Sequence, residues 1–306
     1  MSLNKRNNFF PLAIYDSLTD QDRFKWYGYG DVFAQPYEYK KIPPFQIKVN
    51  NNTSVTNAKL VKVSDDSETD ITLEITTNQV TFSDQLPGGY YLLICDGVTL
   101  LDNGFIDWVG VDYGHYYLKF DHDATTYYTE VFNWCQDLSN KIKITYSHDD
   151  YLPLTDRLIS YQNNYKNIFY IDSELGKPEY ESEEDAEERD GYKFSYYKVS
   201  FKKYRFTFLA PEYITDAVRF IWLHDNINLE FKGDSFPVDS ILFDVEWLEN
   251  GHLGKIESEF TSDTVAVMTG RAQGALDVFD LPDTPITENT PSGEYNDDYN
   301  NDYNNI

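Results

Sequence analysis

Val245-Glu246-Trp247-Leu248-Glu249-Asn250-Gly251-His252-Leu253-Gly254-Lys255-Ile256 reads as a β-hairpin. Asn-Gly is the pair that most readily accepts positive φ at both centres of a type I′ turn, whose twist suits the strands on either side. With Asn250 and Gly251 central, Val245 falls opposite Ile256 and Trp247 opposite Gly254 on one face, while Glu246 meets Lys255 on the other. Turn chemistry, apolar pairing and charge pairing agree on one register. An antiparallel β protein is the expectation.

Working outward from this hairpin, Ile142, Ile144 and Tyr146 alternate with Lys141, Lys143 and Thr145, one face apolar and one wet. In Lys198 to Phe208 the phase slips, since Val199 and Phe201 share one parity and Tyr204, Phe206 and Phe208 the other, which reads as a β-bulge. One short helix is expected over 211–223. Pro211 stands in its first turn, Glu212 complements the positive end, and Tyr213, Ala217, Phe220 and Ile221 form its stripe. Between Pro178 and Gly191 stand Glu179, Glu181, Glu183, Glu184, Asp185, Glu187, Glu188 and Asp190, with Arg189 the single base. The run reads as a solvated loop; its functional alternatives are an acidic patch for a basic partner subunit or a weak divalent-cation loop. The spacing does not fit an EF-hand.

Upstream, Pro43-Pro44 marks a boundary, and residues 43–137 read as an immunoglobulin-like β-sandwich without the Cys, Trp, Cys spacing of antibody domains. Ile71, Leu73 and Ile75 alternate with Thr72, Glu74 and Thr76 as a half-buried strand, repeated at Val80 and Phe82. Gly89 to Cys95 is apolar on both faces, a central strand between the turns Pro87-Gly88 and Asp96-Gly97, and Thr126 to Phe132 supplies the last strand. Residues 1–42 form an aromatic N-terminal arm with Trp26, Tyr27, Tyr29, Phe33, Tyr37 and Tyr39 as candidate interaction residues. Such rings pack either across the neighbouring domain or on another subunit. Residues 138–282 form the second antiparallel β domain, and 283–306 an Asn/Asp/Tyr tail with acids and no base, disordered unless bound.

The 306 residues hold 25 bases against 52 acids, a formal charge of -27, with 26 Tyr and 20 Phe. That charge repels phosphate backbones and anionic headgroups, so neither nucleic acid nor membrane is expected as a partner. No apolar run is long enough to span a bilayer and none follows Met1-Ser2-Leu3-Asn4-Lys5-Arg6, so a soluble chain not exported by a signal peptide is expected. Cys95 and Cys135 read as buried free thiols.

Chemistry is sparse. Among five histidines, His122 lies between Asp121 and Asp123, His148 precedes Asp149, and His224 precedes Asp225. In a strand, His115 shares a face with Asp121 and Asp123 while His122 points away, so no metal site is expected. His224 closes the expected helix, where partial positive charge is favourable. No nucleophile elbow, phosphate loop, dinucleotide fingerprint or zinc-protease motif is present, so no catalytic residue, cofactor or metal is assigned. Acid pairs could hide among so many carboxylates, which keeps a hydrolase as a third reading.

Several segments carry a resemblance. Gly89-Tyr90-Tyr91-Leu92-Leu93-Ile94-Cys95-Asp96-Gly97, Tyr127-Tyr128-Thr129-Glu130-Val131-Phe132, Leu175-Gly176-Lys177-Pro178-Glu179-Tyr180, Glu188-Arg189-Asp190-Gly191 and Leu209-Ala210-Pro211-Glu212-Tyr213 resemble uncharacterised virion structural proteins of tailed phages of gut Bacteroidales, including crAss-like phages. The likeness spans about residues 85–270. It implies a non-catalytic tail, neck-ring or baseplate component located in the virion, assembled in the host cytoplasm as a homo-oligomeric ring or multi-copy assembly with other virion proteins. The candidate docking residues are then the aromatics of the arm and Glu183, Glu184, Asp185, Glu187 and Glu188. The alternative is a glycan-binding adhesin, in which Tyr and Trp stack on sugar faces beside carboxylates.

Overall fold

The computed structural model describes residues 10–25, 33–81, 91–95, 97, 99–100, 111–149, 151–154, 157–161, 164–189, 192–248, 253–262 and 266–269. In chain order they form β1 (Ile14–Tyr15), α1 (Asp22–Lys25), β2 (Gln35–Glu38), β3 (Phe45–Val49), β4 (Thr56–Lys62), β5 (Glu68–Asp70), α2 (Thr72–Asn78), β6 (Gln79–Thr81), β7 (Tyr91–Cys95), β8 (Gly114–His122), β9 (Thr125–Thr129) and β10 (Phe132–Cys135). There follow β11 (Ile142–Ser147), β12 (Tyr151–Leu154), β13 (Arg157–Ser160), β14 (Asn167–Ile171), β15 (Glu179–Arg189), β16 (Tyr192–Pro211), α3 (Glu212–Val218), β17 (Asn226–Phe231), β18 (Asp234–Trp247), β19 (Leu253–Ser262) and β20 (Ala266–Thr269). The fold is mostly β, as composition and alternation require.

In the first sheet β8 is the hub. β4 lies along one side, with Leu60 opposite Leu118, while β9 and then β10 lie along the other. The N-terminal segment adds the next rank, β1 antiparallel to β9 and β2 parallel to β10. A smaller sheet, β3-β7-β6, meets this one through Phe45, Ile47 and Leu93, which share a core with Leu60, Phe120, Phe132 and Trp134. Phe45 stacks on Phe120 at 5.6 Å between centroids. The other face of β7 is buried too, since Leu92 and Ile94 pack with Phe10, Ile159, Tyr161 and Tyr165. That double burial is what the continuous apolar run required.

In the second region one long sheet runs β14-β11-β17-β18-β19-β16-β15, with β20 also on β16. β18 pairs β17 with its first residues and β19 with the rest, and its register shifts between Val238 and Ser240. The shift marks where the sheet turns back on itself, so Ile142, Ile144, Phe169 and Leu229 share a core with Tyr204, Phe206, Phe208, Ile256 and Phe260. α3 closes this core with Tyr213, Ile214 and Val218. Pro211 is its N-cap residue, one place outside the helix, and the chain continues into a 3-10 turn at Ile221–Leu223.

The two bodies share walls. Along the N-terminal segment Leu12 and Ile14 enter the first core, whereas Ala13 and Tyr15 enter the second. In β14, Tyr170 faces the first and Phe169 and Ile171 the second. Residues of opposite parity on one strand therefore serve different cores.

The 245–256 register is the expected one, with Val245 opposite Ile256, Glu246 opposite Lys255 and Trp247 opposite Gly254, although the turn itself lies outside the described residues. Other expectations are corrected. The strand read over 71–76 is helix α2: Ile71 and Ile75 are buried, Leu73 is 53% exposed, and Thr72, Thr76 and Thr77 bond to nearby carbonyls. Ile-x-x-x-Ile satisfies a helical face as well as an alternating one, and Asp70 settles the competition by accepting the Thr72 N–H at 3.0 Å. Of the repeat, Val80 lies in β6 and Phe82 outside the described residues. The strand over 126–132 breaks at Glu130-Val131 into β9 and β10. Within 198–208 the pairing with β15 runs without a shift from Tyr197 to Lys203 and that with β19 from Lys203 to Pro211, so Val199 and Tyr204 are buried on opposite faces; on the other side the register moves by two residues between Ser200, paired to Ala266, and Lys203, paired to Thr261. The bulge in this hairpin falls opposite Asp185 and Ala186. The acidic run is not a loop but strand β15.

Candidate interaction surfaces

β15 ends the second sheet. Among the described residues its eleven residues pair with β16 alone, and of Glu179–Glu188 none is buried, so both faces are wet. Asp and Glu are poor strand formers; the ladder is imposed by β16, whose aromatic and β-branched residues hold the opposite register. At its base Arg205 pairs Glu179 at 2.9 Å, and Lys203 pairs Glu181 at 2.9 Å. Both bases also reach Glu259 of β19, at 2.7 and 3.0 Å. These contacts hold Glu259 below and Arg205 above their usual pKa values, hydrogen bonding first. On the opposite face Lys198 reaches Glu184 at 3.1 Å. Farther along, Glu183 and Asp185 stand opposite Val199 and Tyr197, and neither has an ion-pair partner among the described residues. Glu187 and Glu188 continue the strand, exposed.

The aromatic arm behaves differently. Trp26, Tyr27 and Tyr29 lie outside the described residues. Phe33 packs edge-on to Tyr213 at 6.4 Å, against the second core. Tyr37 is buried, meets Tyr170 at 5.3 Å and donates its hydroxyl to the Ile168 carbonyl at 3.1 Å. Tyr39 meets Trp134 at 5.6 Å and donates to the Val111 carbonyl at 3.3 Å. Phe33, Tyr37 and Tyr39 thus pack against their own chain, Phe33 on the second core and Tyr37 and Tyr39 in or on the first.

Beside this junction a groove of about 720 Å³ is floored by Lys141, Lys143, Tyr170 and Glu230 and walled by Glu38, Tyr39 and Tyr113. Two of its lysines are held by acids, Lys141 by Asp172 at 2.9 Å and Lys143 by Glu230 at 3.1 Å. Tyr113 is 46% exposed and lies against Tyr39 at 4.5 Å. Burial first, then Glu38 and Glu230, pushes Tyr170 up to about 12. Cys135, half-buried, lines the same groove and its thiol is raised by burial.

Glu130 and His224 are ionisable groups whose burial the sequence does not announce. Glu130, at the break between β9 and β10, accepts from the Tyr15 hydroxyl at 2.8 Å and from the N–H groups of Asp22 at 3.0 Å and Val131 at 3.2 Å. Its burial still prevails and lifts it to about 6. His224 is buried against Tyr161 and Tyr146. Its Nδ1–H donates to the Phe220 carbonyl at 2.8 Å, so Nε2 accepts the Tyr161 hydroxyl; Asn167 donates to that hydroxyl at 3.1 Å and accepts from Tyr165 at 2.9 Å. Burial drives His224 down to about 4, which corrects the expectation of a helix-end cation: the ring is neutral. Nothing local marked the burial of either group, because the decisive partners come from distant segments.

The other histidines follow their expected parity, with His115 exposed and His122 buried, its Nε2 at 3.1 Å from the Thr53 carbonyl. His148 Nδ1 lies 2.8 Å from Asp225. Among the described residues no three His, Cys, Asp or Glu side chains converge as a metal would require. No helix among them is long and apolar enough to cross a membrane. Comparison with protein-family models, curated proteins and solved structures returned no match.

Proposed function

We propose that this chain is a non-catalytic structural protein of a phage particle, a tail, neck-ring or baseplate component present in many copies and bound to other virion proteins. The observation that carries the reading is the β15–β16 hairpin. Among the described residues the edge strand β15 has no buried side chain from Glu179 to Glu188, joins none of the cores and is covered by no further strand, and long uncovered edges are otherwise avoided by folded proteins. An element of that kind is at home where a neighbouring subunit covers it. The sequence resemblance supports the same reading, as do two cores locked together by shared strands, which suit a rigid building block. Quantitative mass spectrometry of purified particles tests it: the chain is expected at a fixed, multiple copy number, and its absence from intact particles overturns the proposal.

The groove supports a second reading, a glycan-binding module. Tyr113 presents an exposed ring beside Glu38 and Asn140, the combination of a stacking face with hydroxyl acceptors that sugars use. Glycan-array binding by the intact chain, lost in Tyr113→Ala, favours this reading; an array without signal removes it.

A further inference from the structure

The following rests on the structural reading above and names the partner's chemistry. We propose that β15 receives an extended, Lys- or Arg-bearing segment of a partner protein as an additional strand of the second sheet.

The backbone comes first. Among the described residues β15 pairs on one side only, so along its other side a row of N–H and C=O groups faces away from the described sheet. Folded proteins blunt such edges by shortness, bulges or cover. This one is long, its register shift lies at Asp185/Ala186, no described strand covers it, and it carries a run of charge. An open edge of this kind is the template for strand addition, in which main-chain bonds give affinity and alternate side chains give selectivity.

Charge then chooses the occupant. A second copy of β15 is disfavoured, because seven of the eleven residues are acids and antiparallel self-pairing sets carboxylate against carboxylate. The imbalance is also local. Glu179, Glu181 and Glu184 are taken by Arg205, Lys203 and Lys198, whereas Glu183 and Asp185 face Val199 and Tyr197. These two acids share one face at a spacing of about 7 Å, two residues of extended chain. An incoming strand with bases at positions i and i+2 sets one base beside each. Exposed Tyr197, opposite Asp185 on the same face, offers a ring for the stem and head of one of those bases. The edge thus sets the partner's conformation and the acids its sign.

The test uses the full chain and three synthetic peptides: one alternating Lys with Val and Thr, one with Glu in place of Lys, and one keeping every Lys but with Pro at alternate positions. Fluorescence anisotropy is expected to show binding of the first alone, weakening with salt, and hydrogen exchange is expected to slow within Glu179–Arg189. The double reversal Glu183→Lys, Asp185→Lys is expected to weaken binding by about tenfold or more, with circular dichroism and melting unchanged because both side chains are exposed. Equal binding of the Pro-bearing peptide, or binding without slowed exchange, overturns strand addition in favour of diffuse attraction; no binding at low salt overturns it outright. The two proposals separate in the particle. Many copies of the chain with β15 amides still exchanging fast keep the structural role and remove strand addition, while peptide-dependent protection in a chain missing from particles does the reverse.

Discussion

Glu130 and His224 are buried titratable groups whose pKa values move in opposite senses from their ordinary ones. Glu130 has a folded pKa of about 6 against an ordinary 4.5, so between those values the native state holds a proton that the unfolded chain has released. Its contribution is full below pH 4.5 and is lost as pH rises through 6, a difference of about 2 kcal/mol at one pKa unit per 1.36 kcal/mol. His224 has a folded pKa of about 4 against 6.5, so its contribution is present above pH 6.5 and is lost as pH falls through 4, about 3 kcal/mol in all. Denaturant midpoints measured from pH 4 to 8 for the wild type, Glu130→Gln and His224→Gln check this. Relative to Glu130→Gln the wild type gains stability on acidification from pH 7 to 4.5, and relative to His224→Gln it loses stability from pH 7 to 4. Parallel curves contradict the account. Neither burial was legible in the sequence: Tyr15 and Asp22 reach Glu130 across more than a hundred positions, and Tyr161 reaches His224 across 63.

Among the elements, α2 shows how a short apolar pattern divides between two periods. A strand over 71–76 places Ile71, Leu73 and Ile75 on one buried face, whereas the helix buries the two isoleucines and leaves Leu73 outside. Ile75→Ala is expected to cost about 2–4 kcal/mol and Leu73→Ala less than about 0.5 kcal/mol in urea unfolding; similar losses at both positions contradict the helix. Asp70 joins this element to pH. The Thr72 N–H first, and Lys59 after it, hold Asp70 at about 2, below its ordinary 3.8, so its support is present above pH 3.8 and is lost as pH falls through 2. The 245–256 hairpin was legible because an Asn-Gly turn, an apolar pair and an ion pair named one register together. β15 was not, because its residues favour no strand and its ladder is supplied by a partner strand that a local reading does not consult.

For the whole molecule, the alternation of Leu12 and Ile14 with Ala13 and Tyr15 binds two cores into one unit. Tyr37→Ala removes a ring shared by Phe132 and Tyr170 and is expected to cost about 3–5 kcal/mol. Loss of the first core's signal and of the second's should remain coincident, followed through Trp134 fluorescence and amide exchange in β11. Separate transitions contradict a shared wall. The sequence showed two β regions and an aromatic arm; that the arm joins them is visible only in the structure, where Leu12 and Ile14 enter the first core and Ala13 and Tyr15 the second. The account's central claim is that this chain works through the surfaces it presents, with β15 as the surface left for a neighbour. Cryo-electron microscopy of the intact particle tests that claim most directly. The account predicts density for many copies of the chain, each with the Glu179–Arg189 edge paired to a strand of an adjoining subunit, and particles in which that edge faces open solvent in every copy would contradict it.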